Sequence, residues 1–344
     1  MNRRSFLSAS AAGAALAPAA VAQARAERGL KVLIPPTSPE ELTDLQSATP
    51  GIELVVCRGE QEAIDHAPTA HASYGFITRD IIRASKTLRW VQQPSAGVEH
   101  LIEIRELVES DIVLTNMQRV YAPQIADQAM SYLLAFTRDL RHFAGDQEKK
   151  HWGAKRPGFV LDELDGKTLL VIGLGGIGSE IARRAFGFGM RVVATDPKVQ
   201  ERPLFVESLH RPDRFHELLS KADVVASAAP LTRQTTGMIG AKEFGLMKPG
   251  VILINVSRGR IVDTDALVAA LDSGRVSAAG LDVTAPEPLP DGHPLWSRNV
   301  IITPHTAGQS PGGDRRRHAI FRENLRRFAA CEMLLNIVDK VAGY

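Results

Sequence analysis

Two α/β domains built on mostly parallel sheets are predicted by three features of this 344-residue sequence. Short apolar runs alternate with helix-like stretches along most of the chain, the pattern of strands joined by crossover helices. A glycine-rich turn, residues 173–178, stands directly between one such run and one such stretch. The length is too great for one average domain and comfortable for two.

The elements follow in order. Leu30–Ile34, Ile52–Cys57, Tyr74–Thr78, Leu88–Gln92 and Ile112–Thr115 are brief, β-rich and bounded by turn residues, so they read as buried strands. Helix-like stretches such as Pro39–Ala48 and Ile102–Glu109 lie between them, giving a first α/β unit. A long amphipathic helix is predicted from about Pro123 to Phe143, with Ile125, Ala129, Leu133 and Phe136 on one face. After a polar stretch, a second series supplies six strands: Thr168–Ile172, Arg191–Ala194, Val224–Ala226, Val251–Asn255, Ala278–Val283 and Val300–Thr303. Six strands with helices between them predict a doubly wound sheet. The tail from Arg315 to Asp339 reads as helix again, with Phe321, Leu325 and Phe328 on one side.

Composition narrows the partners. Apolar residues make up 44% and charged residues 23%, an ordinary globular mixture. The formal charge is +2, and Arg3 and Arg4 account for the excess. The neutral remainder gives no electrostatic ground for nucleic acid or an anionic membrane surface as partner. Cys57 and Cys331 are the only cysteines, too few for a disulfide framework. No Cys/His cluster has metal-ligand spacing, so no metal is expected.

The N-terminus reads as an export leader over residues 1–24. Arg3-Arg4 precede an Ala-rich apolar stretch from Leu7 to Val21, and Ala22-Gln23-Ala24 fits a small-x-small cleavage site. Paired arginines in that place suggest the twin-arginine route and a periplasmic protein, or a cytoplasmic one if the leader is not used. No stable membrane partner beyond the export machinery is expected.

The glycine-rich turn carries the sharpest chemical signal. Gly173-Leu174-Gly175-Gly176-Ile177-Gly178 follows the strand Thr168–Ile172 and opens a helix, the context a dinucleotide fingerprint requires. Gly173 suits the tight turn, Gly175 the approach of a pyrophosphate, and Gly178 the packing of helix on sheet. Asp196 ends the next strand, where a carboxylate accepts hydrogen bonds from a ribose and repels a 2′-phosphate. NAD is therefore the expected cofactor, with NADP possible because Lys198 lies close by.

Three further residues follow strands of the second series: Arg258 in Asn255–Gly259, Glu287 in Asp282–Pro288, and His305 in Thr303–Gly308. In open α/β sheets that edge faces the ligand crevice. A guanidinium can hold a carboxylate and polarise a neighbouring carbonyl. An imidazolium can protonate a developing alkoxide, and a carboxylate beside an imidazole fixes its tautomer.

From Gly166 to Gly308 the chain resembles the D-isomer-specific 2-hydroxyacid dehydrogenase family, in its glyoxylate/hydroxypyruvate reductase-like members. The matching stretches are Gly173–Gly178, Ala229–Thr232, Met247–Gly250, Asn255–Gly259 with Val262-Asp263, Gly280–Val283 leading to Glu287-Pro288, His293–Trp296 and Thr303–His305. The resemblance implies that Arg258, Glu287 and His305 form the catalytic trio. It also implies that Gly173, Gly175, Gly176, Ile177, Gly178, Asp196, Ala229, Pro230, Val256, Ser257, Asp282 and His305 bind the cofactor. Pro94–Glu99 stands where the family's substrate loop uses backbone N–H groups to grip a carboxylate, so Ser95, Ala96 and Gly97 join Arg258 as expected substrate contacts. Asp127-Gln128 departs from the Glu-His pair common among relatives.

The implied architecture is a Rossmann-type, doubly wound NAD-binding domain, residues 125–305, inserted in a flavodoxin-like substrate domain, residues 25–124 and 306–344. The implied protein is a homodimer with its site in a cleft. The implied reaction moves a hydride between nicotinamide and C2 of a small 2-oxo/2-hydroxy acid. Two alternatives stay open: a phosphite-type dehydrogenase on the same scaffold, and a non-catalytic NAD-binding sensory protein.

Overall fold

The computed structural model describes residues 29–198 and 201–344, so the expected leader and its cleavage site lie outside the described residues. The chain divides into two compact units, one formed by residues up to Met117 with Arg315–Tyr344, the other by Gln118–Asp314. The boundaries differ from the expected 124/125 and 305/306. The helix Ala122–Thr137 buries Ala126, Ala129, Met130, Tyr132 and Leu133 in the second unit's core, and its first turn belongs there with it. Gln124 Nε2 donates to the Gly308 carbonyl at 2.8 Å, which keeps residues 306–314 in that unit as well.

The first unit holds β1 (Leu30–Ile34), β2 (Ile52–Val56), β3 (Ala72–Tyr74), β4 (Trp90–Gln92) and β5 (Val113–Thr115). All pair in parallel, in the order β2-β1-β3-β4-β5. That is the 2-1-3-4-5 winding of flavodoxin-like sheets. Strand β3 stops short of the expected Thr78 because Gly75 turns the backbone to φ +81°. The helix Pro39–Ala48 occupies its expected span, fixed by a reciprocal cap: Ser38 Oγ accepts from Glu41 N, and Glu41 Oε2 accepts from Ser38 N. The helix expected over Ile102–Glu109 forms only as the single turn Arg105–Val108.

The C-terminal helix, Pro311–Ala329, lays Phe321 on Tyr74 with ring centroids 4.1 Å apart and Phe328 against Trp90 at 5.2 Å. It ends ten residues before the expected Asp339, since Cys331 takes a left-handed φ of 58°. Beyond that turn Ile337 forms an antiparallel bridge to Thr115.

The second unit holds β6 (Thr168–Ile172), β7 (Arg191–Thr195), β8 (Ser208–His210), β9 (Val224–Ser227), β10 (Val251–Asn255), β11 (Val276–Leu281) and β12 (Val300–Ile302). Their order is β12-β11-β10-β9-β6-β7-β8, again parallel throughout. This is the doubly wound arrangement, with the winding reversing beside β6. Among the described residues there are seven strands where six were expected. The addition, β8, is a half-buried edge strand whose Ser-Leu-His sequence has no apolar run to announce it.

Alternation along the strands explains how one sheet supports two cores. In β6, Leu170 and Ile172 enter one cluster with Val225, Leu253 and Ala279. Leu169 and Val171 enter the other with Ile181, Ala185 and Leu133. Each fully buried leucine of this kind contributes about 1.5–3 kcal/mol. The long helix expected over Pro123–Phe143 is two helices, Ala122–Thr137 and Leu140–Glu148, because Asp139 between them adopts φ 49°. Among the described residues no helix is long and apolar enough to cross a membrane.

Candidate active site

Because every strand of the second sheet runs the same way, the loops that leave their C-terminal ends share one edge. Read along that edge, β7 delivers Asp196, β6 the glycine turn, β9 the Ala228–Pro230 segment, β10 Arg258, β11 Asp282 and Glu287, and β12 His305. The expected cofactor and catalytic residues of this unit therefore occupy consecutive positions.

The glycine turn passes a test of fit. Gly173 has φ +88°, and a Cβ there would lie 2.9 Å from the Ala229 backbone. A Cβ on Gly178 would fall 1.9 Å from the Gly173 carbonyl oxygen. Both glycines are required by the protein's own packing. Gly175 is not: its φ is −72°, and an added Cβ meets no atom within 4 Å. What the missing side chain leaves open at Gly175 is the approach to the N-terminus of the helix Gly176–Gly187, which no side chain caps. Uncapped N–H groups and the positive dipole end suit a pyrophosphate. The Asp196 carboxylate ties this turn down, accepting from Leu174 N and Lys198 N, each at 2.8 Å.

The Arg258 loop is fixed by Asn255. Its Nδ2 donates to the Arg258 carbonyl at 3.0 Å, and its Oδ1 accepts from the N–H and hydroxyl of Ser257. The Ser257 hydroxyl also meets that of Ser227 at 2.8 Å, and the Arg258 guanidinium donates to the Ser257 carbonyl at 2.7 Å. Gly259 brings this loop against the next one: a Cβ there would lie 1.9 Å from the Thr284 carbonyl oxygen. Thr264 Oγ1 adds a bond to the Ala285 carbonyl at 2.7 Å. The segments bearing Arg258 and Glu287 are thus packed together.

Glu287 reaches His305. Its Oε1 accepts from His305 Nδ1 at 2.7 Å, with the two side chains 41% and 47% exposed. This bond sets the imidazole tautomer and leaves Nε2 for a reacting oxygen. His305 itself has φ +54°, an unusual backbone for a non-glycine residue. Asp282, almost fully buried, imposes it. Its carbonyl accepts from His305 N at 2.8 Å, while its carboxylate accepts from Thr303 Oγ1, Thr306 N and Ala307 N. Thr303 is bonded in turn to the Tyr132 hydroxyl, on the helix Ala122–Thr137. Burial pushes the Tyr132 phenol above its usual range, so it stays a neutral partner. Neither Tyr132 nor the anchoring by Asp282 was visible in sequence, since both depend on contacts across the sheet.

The departure at Asp127-Gln128 also has a place in the fold. Asp127 accepts from Arg184 Nε at 2.7 Å, joining the helix Ala122–Thr137 to the helix Gly176–Gly187.

In the first unit, Ser95, Ala96 and Gly97 follow β4. Their carbonyls are all held: Ser95 O by Met117 N at 3.0 Å, Ala96 O by Asn116 Nδ2 at 2.7 Å, and Gly97 O by Gln93 Nε2 at 3.3 Å. Among the described residues none accepts from the N–H groups of Ala96, Gly97 or Val98. A loop with its carbonyls tied back and its amides unused has the chemistry of an anion nest. Cys57 and Cys331 are both free thiols. Among the described residues no group of metal-ligating side chains forms.

Comparison with known proteins agrees with this geometry. Residues 130–307 match the family described as D-isomer specific 2-hydroxyacid dehydrogenase, NAD binding domain. Glyoxylate reductase of Thermococcus litoralis is 34% identical over 272 residues, 77% of this chain and 81% of that protein. D-3-phosphoglycerate dehydrogenase of Methanocaldococcus jannaschii is 32% identical over 263 residues, and there the match spans only 50% of the relative's length. Among solved structures, a D-isomer specific 2-hydroxyacid dehydrogenase of Xanthobacter autotrophicus Py2, in complex with NADPH and MES, superposes with a TM-score of 0.77. The two are 28% identical, with 92% of this chain and 100% of that one covered. The chain belongs to the D-isomer specific 2-hydroxyacid dehydrogenase family, whose members are NAD(P)-dependent hydroxyacid oxidoreductases.

Proposed function

We propose that this protein interconverts a small 2-oxo acid and its 2-hydroxy acid. The observation that carries the reading is the 2.7 Å bond between His305 Nδ1 and Glu287 Oε1, with the Glu287 segment packed against the Arg258 loop. Arg258 holds the substrate carboxylate and polarises the carbonyl at C2. His305 Nε2 gives a proton to the oxygen that becomes the hydroxyl, and takes it back in the reverse direction. Glu287 holds the ring in that tautomer through the bond at Nδ1. The nicotinamide cofactor, when bound, supplies or accepts the hydride. The anion nest at Ser95–Gly97 suits a carboxylate.

The test is a screen of NADH oxidation over glyoxylate, hydroxypyruvate, pyruvate and bulkier 2-oxo acids, with phosphite oxidation in parallel. Turnover of a 2-oxo acid is expected. Turnover of phosphite alone, or NADH binding without any turnover, would overturn the reading.

Asp196 favours NAD. Its carboxylate stands at the end of β7, with Oδ2 accepting from Leu174 N of the glycine turn and Oδ1 from Lys198 N, and a 2′-phosphate brought there would meet a like charge. Asp196→Asn keeps an acceptor for Leu174 N and removes the charge, and it is expected to narrow the ratio of NADH to NADPH affinity by about 10-fold, or 1.4 kcal/mol. Fluorescence titration with both cofactors measures this, and a wild type that prefers NADPH would contradict it.

Homodimerisation is supported by exposed apolar side chains along one stretch of the second unit, Leu140, Trp152 and Val160. Export by the twin-arginine route is supported by Arg3-Arg4 and the apolar stretch behind them. An Arg3→Lys/Arg4→Lys variant is expected to stay in the cytoplasm on fractionation, and unaltered export would reject the route.

A further inference from the structure

Arg119 carries two local costs that its hydrogen bond among the described residues, from Ala122 N to its carbonyl at 3.2 Å, does not offset. Its backbone is left-handed, at φ +70°, where a side chain is unfavourable and glycine is not. Its Cα and Cγ also lie against the first residue of the helix Gly176–Gly187: a Cβ built on Gly176 would be 3.0 Å from Arg119 Cα and 2.8 Å from its Cγ. That is the positive end of the helix dipole, the wrong end for a cation. The residue is exposed, and no carboxylate among the described residues forms an ion pair with its guanidinium. Three bonds separate Cγ from the guanidinium carbon, so that carbon lies within about 4 Å of Cγ whatever the rotamer. The cation is therefore held near the uncapped first turn of the helix that follows Gly175.

An anion placed there would reverse the electrostatic cost, since it would be attracted by the helix end and the guanidinium together. We infer that Arg119 is a pyrophosphate-binding residue, which clamps the dinucleotide's phosphates against the glycine turn. The inference rests on the cofactor reading of that turn. An unfavourable backbone at a ligand site is a recognised mark of function when nothing else in the fold accounts for it.

The test uses equilibrium binding and needs no turnover. ADP-ribose contains the pyrophosphate and adenosine lacks it, so each is titrated calorimetrically into the full chain and into Arg119→Gly and Arg119→Lys variants. Arg119→Gly is expected to weaken ADP-ribose binding about 10-fold at low salt, with the deficit shrinking as ionic strength rises. Adenosine affinity should stay within twofold, and the Tm without ligand should not fall, because glycine is at ease at positive φ. Arg119→Lys should lose less, keeping the charge without the planar fork. Equal ADP-ribose affinity in wild type and Arg119→Gly would overturn the role of Arg119 while leaving the cofactor site intact. Equal weakening of ADP-ribose and adenosine together with a lowered Tm would show a structural role instead. Failure of the wild type to bind ADP-ribose at all would overturn both this inference and the cofactor reading.

Discussion

His305→Gln is expected to slow the chemical step of 2-oxo acid reduction by about 10²- to 10⁴-fold, the contribution of a positioned general acid. Glutamine keeps a hydrogen-bonding side chain of similar reach but has no proton to give at neutral pH. Single-turnover measurement with enzyme and NADH premixed places the loss in chemistry rather than in binding. Glu287→Gln should lose less. Its amide oxygen can still accept from His305 Nδ1, now 2.7 Å from the Glu287 Oε1, so the ring keeps its tautomer and orientation. A His305→Gln protein with single-turnover rates within threefold of wild type would remove His305 from the chemistry, and the proposed mechanism with it.

Arg258→Lys should fail despite keeping its charge. Asn255 and the Ser227–Ser257 pair fix the backbone on which the guanidinium is mounted, so the planar fork is presented in a defined orientation. A lysine offers a point charge and cannot hold a carboxylate and a carbonyl oxygen at once. Losing a charge-assisted contact of this kind costs about 1.5–3 kcal/mol, or about 10- to 100-fold in kcat/KM. Near-wild-type kinetics would show that Arg258 does not grip the substrate.

The parts of this protein that were legible in its sequence are those whose signals are local. The glycine turn was readable because strand, turn and helix are contiguous, and β6, β10 and the helix Pro39–Ala48 have the boundaries expected of them. Arg258, Glu287 and His305 stood out because each follows a strand of the same sheet. Signals that depend on distant partners were not readable. The expected helix through Phe143 is broken at Asp139, one aspartate within an otherwise helix-like run, and Arg156 reaches it from 17 residues away. Strand β8 forms by pairing with β7, not by apolar patterning. Asp282 was expected to bind cofactor, and its role in holding the His305 loop emerged only when Thr303, Thr306 and Ala307 were seen around its carboxylate. The same holds for Gln93 and Asn116, which tie back the Gly97 and Ala96 carbonyls and carry no motif.

The split course of the first unit has a consequence for how the chain is made. Its five strands are complete by Thr115, yet the helix that covers Trp90 and Tyr74 begins nearly two hundred residues later. Asn324 Nδ2 donates to the buried Gln92 Oε1 across a sequence separation of 232 residues, adding to the bond that Thr115 Oγ1 gives the same oxygen from within the first sheet. On a ribosome the first sheet to be synthesised is therefore the last to be finished, while the second unit, continuous in sequence, can fold entirely in the interval. During that wait Trp90 and its neighbours are a nascent apolar face open to chaperones and proteases. Chains that terminate before Phe321 should be cleared from the cell even though their second unit is intact.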